Sequence, residues 1–286
     1  MTPFPLGRRE LLAGLVATGL VARAAPAATG PWRWAIDYGP ATNPDLARTF
    51  DLLVLEPAHP RPIAPLRGAS AVLLGYLSLG EVEQGRAYAG QLHKAGALKA
   101  ANRNWPDARL VDLRHPAWSE LVIGRLIPEI LAKGYDGIFI DTLDSAEALA
   151  RRDPVGNAGM VEAAVALLRR IRKAFPRITV LLNRGYAALP EAAPAIDLLL
   201  AEAMASRWNF AEKRYELTPP ADWDWQAERL RAAHAANPAL RLLTLDYWNP
   251  ADAATIAQLY ARERAAGFHP YVATLALDRV LPEPVA

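Results

Sequence analysis

The 286-residue chain contains no cysteine, so disulfides are excluded and stability must come from the core. Its five histidines, His59, His93, His115, His234 and His269, are scattered without an HxH or HExxH pattern, which argues against a metal hydrolase. Lysine is scarce, and Lys94, Lys99, Lys133, Lys173 and Lys213 fall in predicted helices or loops, where a Schiff-base enzyme would want one at a strand end. The GxSxG elbow of serine hydrolases is missing; Tyr76-Leu77-Ser78-Leu79-Gly80 does not supply it. Gly-rich phosphate loops are missing too: the first turn is Gly39-Pro40-Ala41, and Tyr247-Trp248-Asn249 and Leu275-Ala276-Leu277 lie at the ends of the last two predicted strands. No metal and no cofactor is expected from this inventory. Long apolar runs are also lacking, the stretch Leu11–Val21 being too short to span a bilayer comfortably.

That stretch has a different reading. Gly7-Arg8-Arg9-Glu10 precedes it and the small-residue segment Ala22-Arg23-Ala24-Ala25-Pro26-Ala27-Ala28 comes after it. The pattern predicts a signal peptide over residues 1–27, with the paired arginines pointing to the twin-arginine route and to a periplasmic or secreted product. Its removal takes away Arg8, Arg9, Arg23 and Glu10 and lowers the formal charge from +2 to 0. A neutral product has no global electrostatic reason to hold nucleic acid or an anionic membrane, and no stable membrane insertion is expected after cleavage. Oligomeric state is not legible.

The whole chain is 52% apolar, with prolines and glycines spread as loop punctuation rather than gathered in a tract. Within residues 28–286, eight short apolar runs recur: Trp32–Gly39, Leu52–Glu56, Ala71–Glu81, Gly137–Asp144, Ile178–Leu182, Ile196–Ala201, Leu240–Leu245 and His269–Leu275. Continuous runs of this length read as buried parallel strands, and all but the last are succeeded by a helix-like segment or a long loop. Asn157–Phe175 is the clearest helix, with Val161, Val165, Leu168 and Ile171 on one stripe. A helix over 116–133 should kink or break at Pro128, Asn249-Pro250 should cap the helix after the seventh strand, and 82–115 and 205–221 read as irregular excursions. The predicted fold is a single α/β domain, a (β/α)₈ TIM barrel; a doubly wound open sheet usually has fewer strands and would want a Gly-rich first turn.

In such a barrel the carboxyl ends of the strands face one mouth. The residues there are Asp37 and Tyr38, Glu56, Ser78 and Glu81, Asp141 and Asp144, Asn183 and Arg184, Glu202, and Asp246, Tyr247 and Trp248. Carboxylates, aromatics and amides are what a two-carboxylate glycoside hydrolysis uses: one carboxyl protonates the leaving oxygen and a second attacks or activates water. Tyr38, Tyr76, Trp105, Trp208, Tyr247 and Trp248 are candidate platforms for sugar faces. Asp141, at the end of a strand that is apolar throughout, is the first candidate for catalysis; Asp144 reads as a capping or orienting neighbour.

These residues carry a family resemblance. Trp34 and Tyr38, Gly75-Tyr76-Leu77-Ser78-Leu79-Gly80-Glu81, Val111-Asp112-Leu113-Arg114, the block Gly134-Tyr135-Asp136-Gly137-Ile138-Phe139-Ile140-Asp141-Thr142-Leu143-Asp144, and Ala201-Glu202 together resemble glycoside hydrolase family 114. These are barrels of the endo-α-1,4-polygalactosaminidase type, related to the hydrolase domains that process the Pel exopolysaccharide. The resemblance implies cleavage of α-linked galactosamine polymers, with Asp141 as nucleophile and Glu202 as acid/base. The substrate-binding set is then expected among Asp37, Tyr38, Tyr76, Ser78, Glu81, Asp144, Asn183, Arg184, Trp208, Asp246, Tyr247 and Trp248. A second reading is a catalytically silent barrel that binds polysaccharide in an export or biofilm machine. Geometry separates the two, because catalysis requires Asp141 and Glu202 to share one cleft.

Overall fold

A computed structural model describes residues 32–103 and 105–284. The predicted signal segment lies outside them. Eight parallel strands form one sheet in sequence order: β1 (Trp34–Asp37), β2 (Leu52–Leu55), β3 (Val72–Ser78), β4 (Gly137–Asp141), β5 (Thr179–Asn183), β6 (Leu198–Glu202), β7 (Arg241–Tyr247) and β8 (His269–Ala273). The first and last strands meet side by side: Trp34 Nε1 donates to His269 O at 2.9 Å and Tyr38 N donates to Leu277 O at 2.6 Å. The sheet thus curls into a nearly closed TIM barrel with helices between its strands. All eight predicted runs become strands because each is buried on both faces, and apolar or β-branched side chains suit that environment.

Register sets which side chains reach the mouth. Ser78 pairs with Asp141, Asn183 with Leu200, and Glu202 with Leu245. Side chains alternate along a strand, so Phe139, Leu181, Leu200 and Leu245 share the inward face with Asp141, Asn183, Glu202 and Tyr247 and fill the barrel beneath them. Gly137 lets β5 approach β4 closely, since a Cβ there would sit 1.9 Å from Thr179 O.

Several expectations need correction. The third run does not continue to Glu81; β3 ends at Ser78, and Glu81–Glu83 joins Ala108–Val111 and Leu98–Ala101 in a three-stranded antiparallel sheet within the excursion. Residues 205–221 hold a hairpin, Ser206–Asn209 against Arg214–Leu217. The helix over 116–133 is interrupted, as Pro128 requires, by a π-helical turn at Val122–Leu126, which widens the ladder where the proline ring and its missing N–H disrupt it. The helix Ala253–Ala265 is capped by Asp252, whose Oδ1 accepts from Thr255 N at 3.1 Å; Asn249 closes the preceding turn by accepting from Ala251 N. Among the described residues, no helix is long and apolar enough to cross a membrane.

Candidate active site

Asp141 ends β4, Asn183 ends β5 and Glu202 ends β6. Adjacent parallel strands therefore bring these three side chains together, and the contact is direct. Asn183 Nδ2 donates to Asp141 Oδ1 at 2.9 Å and to Glu202 Oε2 at 2.6 Å. One amide thus spends its two hydrogens on two carboxyls, and the facing oxygens lie no more than about 5.5 Å apart. Tyr247, on β7, donates its hydroxyl to the other oxygen of Glu202, Oε1, at 2.7 Å. Thr142 N donates to Asp141 Oδ1 at 2.8 Å.

Burial dominates the electrostatics. It pushes the Asp141 carboxyl up to about 6, helped by the Glu202 charge and opposed by the hydrogen bonds from Asn183 and Thr142. Tyr38, Tyr76 and Tyr247 are all driven upward by burial first, and then by the carboxylates they face. Each therefore stays a neutral O–H donor at any ordinary pH. Tyr38 and Tyr76 meet edge to face with ring centroids 5.2 Å apart, and Tyr76 leans on Phe139 at 6.0 Å. At the rim, Arg184 Nη1 stands 3.6 Å from Asp144 Oδ2. Burial raises the Asp144 carboxyl and Arg184 opposes that shift.

The backbone after each of the three strands has an unusual shape. Thr142, Arg184 and Ala203 have φ of 61°, 54° and 54°, in the left-handed region that costs a non-glycine residue about 1 kcal/mol or more. Each directly succeeds one of Asp141, Asn183 and Glu202. Thr142 also carries bonds that sequence reasoning missed: its Oγ1 donates to Asp141 O at 2.7 Å and accepts from Gly80 N at 2.9 Å. Ser78 Oγ lies 2.7 Å from Thr142 Oγ1 and donates to Glu81 O, so it buttresses the Asp141 loop.

Asp246, Asp37 and Glu81 of the expected substrate set are buried in contacts with the protein itself. Asp246 precedes Tyr247 and so faces away from the barrel interior; it is fully buried, and Oδ1 accepts from Ala205 N at 2.7 Å and Ser206 N at 2.6 Å. It fastens the hairpin root rather than meeting a ligand. Asp37 is likewise buried on the face opposite Tyr38 and accepts from Gly39 N at 2.7 Å. Glu81 is enclosed by Asn102 Nδ2, which reaches both its oxygens at 2.8 and 2.9 Å, and by Ser145 Oγ at 2.6 Å. Trp208 packs on Tyr215 at 4.8 Å, and Trp248 packs on the same ring at 6.3 Å while donating Nε1 to Asp252. Trp208 lies on the hairpin opposite Tyr215, and Trp248 directly follows β7. Among the described residues, no group of three His, Asp or Glu side chains is arranged to hold a metal ion.

The model of glycoside-hydrolase family GH114 matches residues 17–284. The chain belongs to this family. Among solved structures, the glycoside hydrolase domain of PelA from Pseudomonas aeruginosa is 31% identical, with a TM-score of 0.75 over 87% of this chain and 97% of that domain. Aspergillus fumigatus Ega3, solved in complex with galactosamine, is 15% identical, with a TM-score of 0.63 over 86% of this chain and 92% of Ega3, a likeness of fold. No curated protein matched. As a GH114 member the chain is a glycoside hydrolase, and its barrel mouth holds two carboxyls tied through one amide, the minimum equipment for cutting a glycosidic bond.

Proposed function

We propose that this protein, exported and freed of residues 1–27, cleaves α-linked galactosamine-type polysaccharide within the chain, with retention of anomeric configuration. The observation that carries the mechanism is the Asn183 bridge. It holds the facing oxygens within about 5.5 Å of each other, which favours the short carboxyl spacing of direct attack (about 5–5.5 Å) over the about 6.5–9.5 Å that inversion needs to admit a water. Asp141, ionised, attacks the anomeric carbon as Glu202 gives its proton to the departing glycosidic oxygen. The C–O bond to the leaving sugar breaks and an ester to Asp141 forms. Glu202, now a carboxylate, takes a proton from water, whose oxygen displaces Asp141 and regenerates both groups. Tyr247 holds Glu202 in line throughout.

The substrate class is supported by the family and by the ligand named for Ega3. The test is digestion of a partly deacetylated α-1,4-galactosamine polymer by purified protein, with products read by mass spectrometry and the first-formed anomer by NMR. Internal fragments and an initial α-anomer are expected. No cleavage would overturn the substrate; an initial β-anomer would overturn retention.

A further inference from the structure

Two large aromatic side chains stand in water at the tips of two arms. Trp105 is 58% exposed, in the turn that joins Leu98–Ala101 to Ala108–Val111; Phe210 is 58% exposed, at the tip of the 206–217 hairpin. The two rings meet edge to face with centroids 6.1 Å apart and an interplanar angle of 89°. One arm leaves the barrel after β3 and the other after β6, so their contact spans the stretch of rim from which β4 and β5 present Asp141 and Asn183.

Both arms are held firmly. Asn102, at the base of the Trp105 turn, grips Glu81, which Ser145 ties to the segment after β4. In the hairpin, Glu216 gathers Arg207 Nε at 2.9 Å and Asn209 Nδ2 at 3.0 Å, and Asn209 Oδ1 accepts from Ala211 N and Glu212 N to set the turn around Phe210. Rigid arms that hold more than half of each aromatic side chain in water contribute little to the core but are well suited to apolar ligand surfaces. The faces of pyranose rings are such surfaces.

Building on the hydrolase reading above, we propose that Trp105 and Phe210 form an outlying sugar platform that takes units of a polysaccharide beyond those touching Asp141 and Glu202, and so makes the enzyme select long chains. A platform that holds outlying units equally in ground and transition states contributes uniform binding, whose loss shows in KM with kcat kept.

The experiment compares wild type with Trp105→Ala, Phe210→Ala and the double variant on the galactosamine polymer and on an aryl α-galactosaminide too short to reach the arms. Polymer affinity is measured in parallel by calorimetry in an Asp141→Asn background. Expected is a rise of about tenfold or more in polymer KM and Kd, with kcat and aryl-glycoside kinetics kept and Trp105→Phe restoring much of the loss. Unchanged polymer KM and Kd overturn the platform, as does an equal loss on the short substrate. If wild type cuts neither substrate the hydrolase reading fails, and the calorimetric titration still decides the platform.

Discussion

Tyr247 donates its phenolic hydrogen to Glu202 Oε1 across 2.7 Å, while the opposite oxygen of the same carboxylate receives Asn183. Glu202 is therefore clamped from both sides by neutral donors, so a proton can come and go while the carboxyl stays in place. Tyr247→Phe keeps the ring packing and removes one clamp. We expect kcat to fall by about tenfold to a hundredfold with KM little changed, measured as steady-state hydrolysis of the polymer.

Asp141→Asn and Glu202→Gln each remove one role in the proposed reaction and keep the shape. Each is expected to lose about 10³-fold or more in kcat/KM. Asp141→Asn should also raise the thermal midpoint at pH 8, because the wild-type carboxyl is ionised there at a buried site that raises it to about 6. Differential scanning calorimetry of the variant checks this; activity within about tenfold of wild type in either variant removes the residue from catalysis.

In the proposed reaction Asp141 attacks as a carboxylate, so kcat/KM should fall on the acid side with a limb near pH 6. Asn183 lowers the Asp141 carboxyl from where burial alone would put it. Asn183→Ala should then move that limb to higher pH, besides lowering the rate by about 10²-fold through lost alignment. A pH–rate profile of both proteins reads the displacement, and a limb that stays in place denies Asn183 this electrostatic role.

Behind the site, Asp246 and Glu263 are a pair of fully buried acids, each with one oxygen lacking a protein partner among the described residues. Burial pushes each to about 7, and in Glu263 the Asp246 charge adds to it. Their folded values lie above the unfolded ones, so the native state binds more protons than the unfolded chain between about pH 4 and 7 and stability falls as pH rises through that window. Urea unfolding at pH 5 and pH 8 should differ by on the order of 5 kcal/mol, roughly 2–3 from each acid, and Glu263→Gln should remove about half of it. Equal slopes in the two proteins count against this pair as the source.

Ala203 sits at φ 54° with a side chain that does no chemistry, although its carbonyl accepts from Thr218 Oγ1 and Gln226 Nε2. Ala203→Gly should relax the backbone without disturbing those bonds. A gain of about 0.5–1 kcal/mol, or ~2–4 °C in Tm, is expected with activity kept.

The barrel was legible because strands buried on both faces leave continuous apolar runs, as in Ile138-Phe139-Ile140 and Leu198-Leu199-Leu200. The excursion sheet was not, since strands such as Glu81-Val82-Glu83 are three or four residues long and half polar. At the mouth, position along each strand put Asp141, Asn183 and Glu202 at neighbouring strand ends, but the shared amide is a matter of side-chain reach that no spacing encodes. Asp246 shows a signal overlooked: neighbours on a strand face opposite ways, so it and Tyr247 cannot both enter the mouth. The same alternation separates Asp37 from Tyr38.

The left-handed residues at 142, 184 and 203 have a consequence for how this enzyme can change. Each turns the chain aside within one residue of the functional group, and the segments beyond them differ in kind: the helix Asp144–Arg152 after β4, a short 3₁₀ turn at Tyr186–Ala188 after β5, and the hairpin after β6. The aim of Asp141, Asn183 and Glu202 is set upstream of these segments. They are therefore exchangeable parts, through which substrate preference can be altered while the cutting geometry is inherited intact.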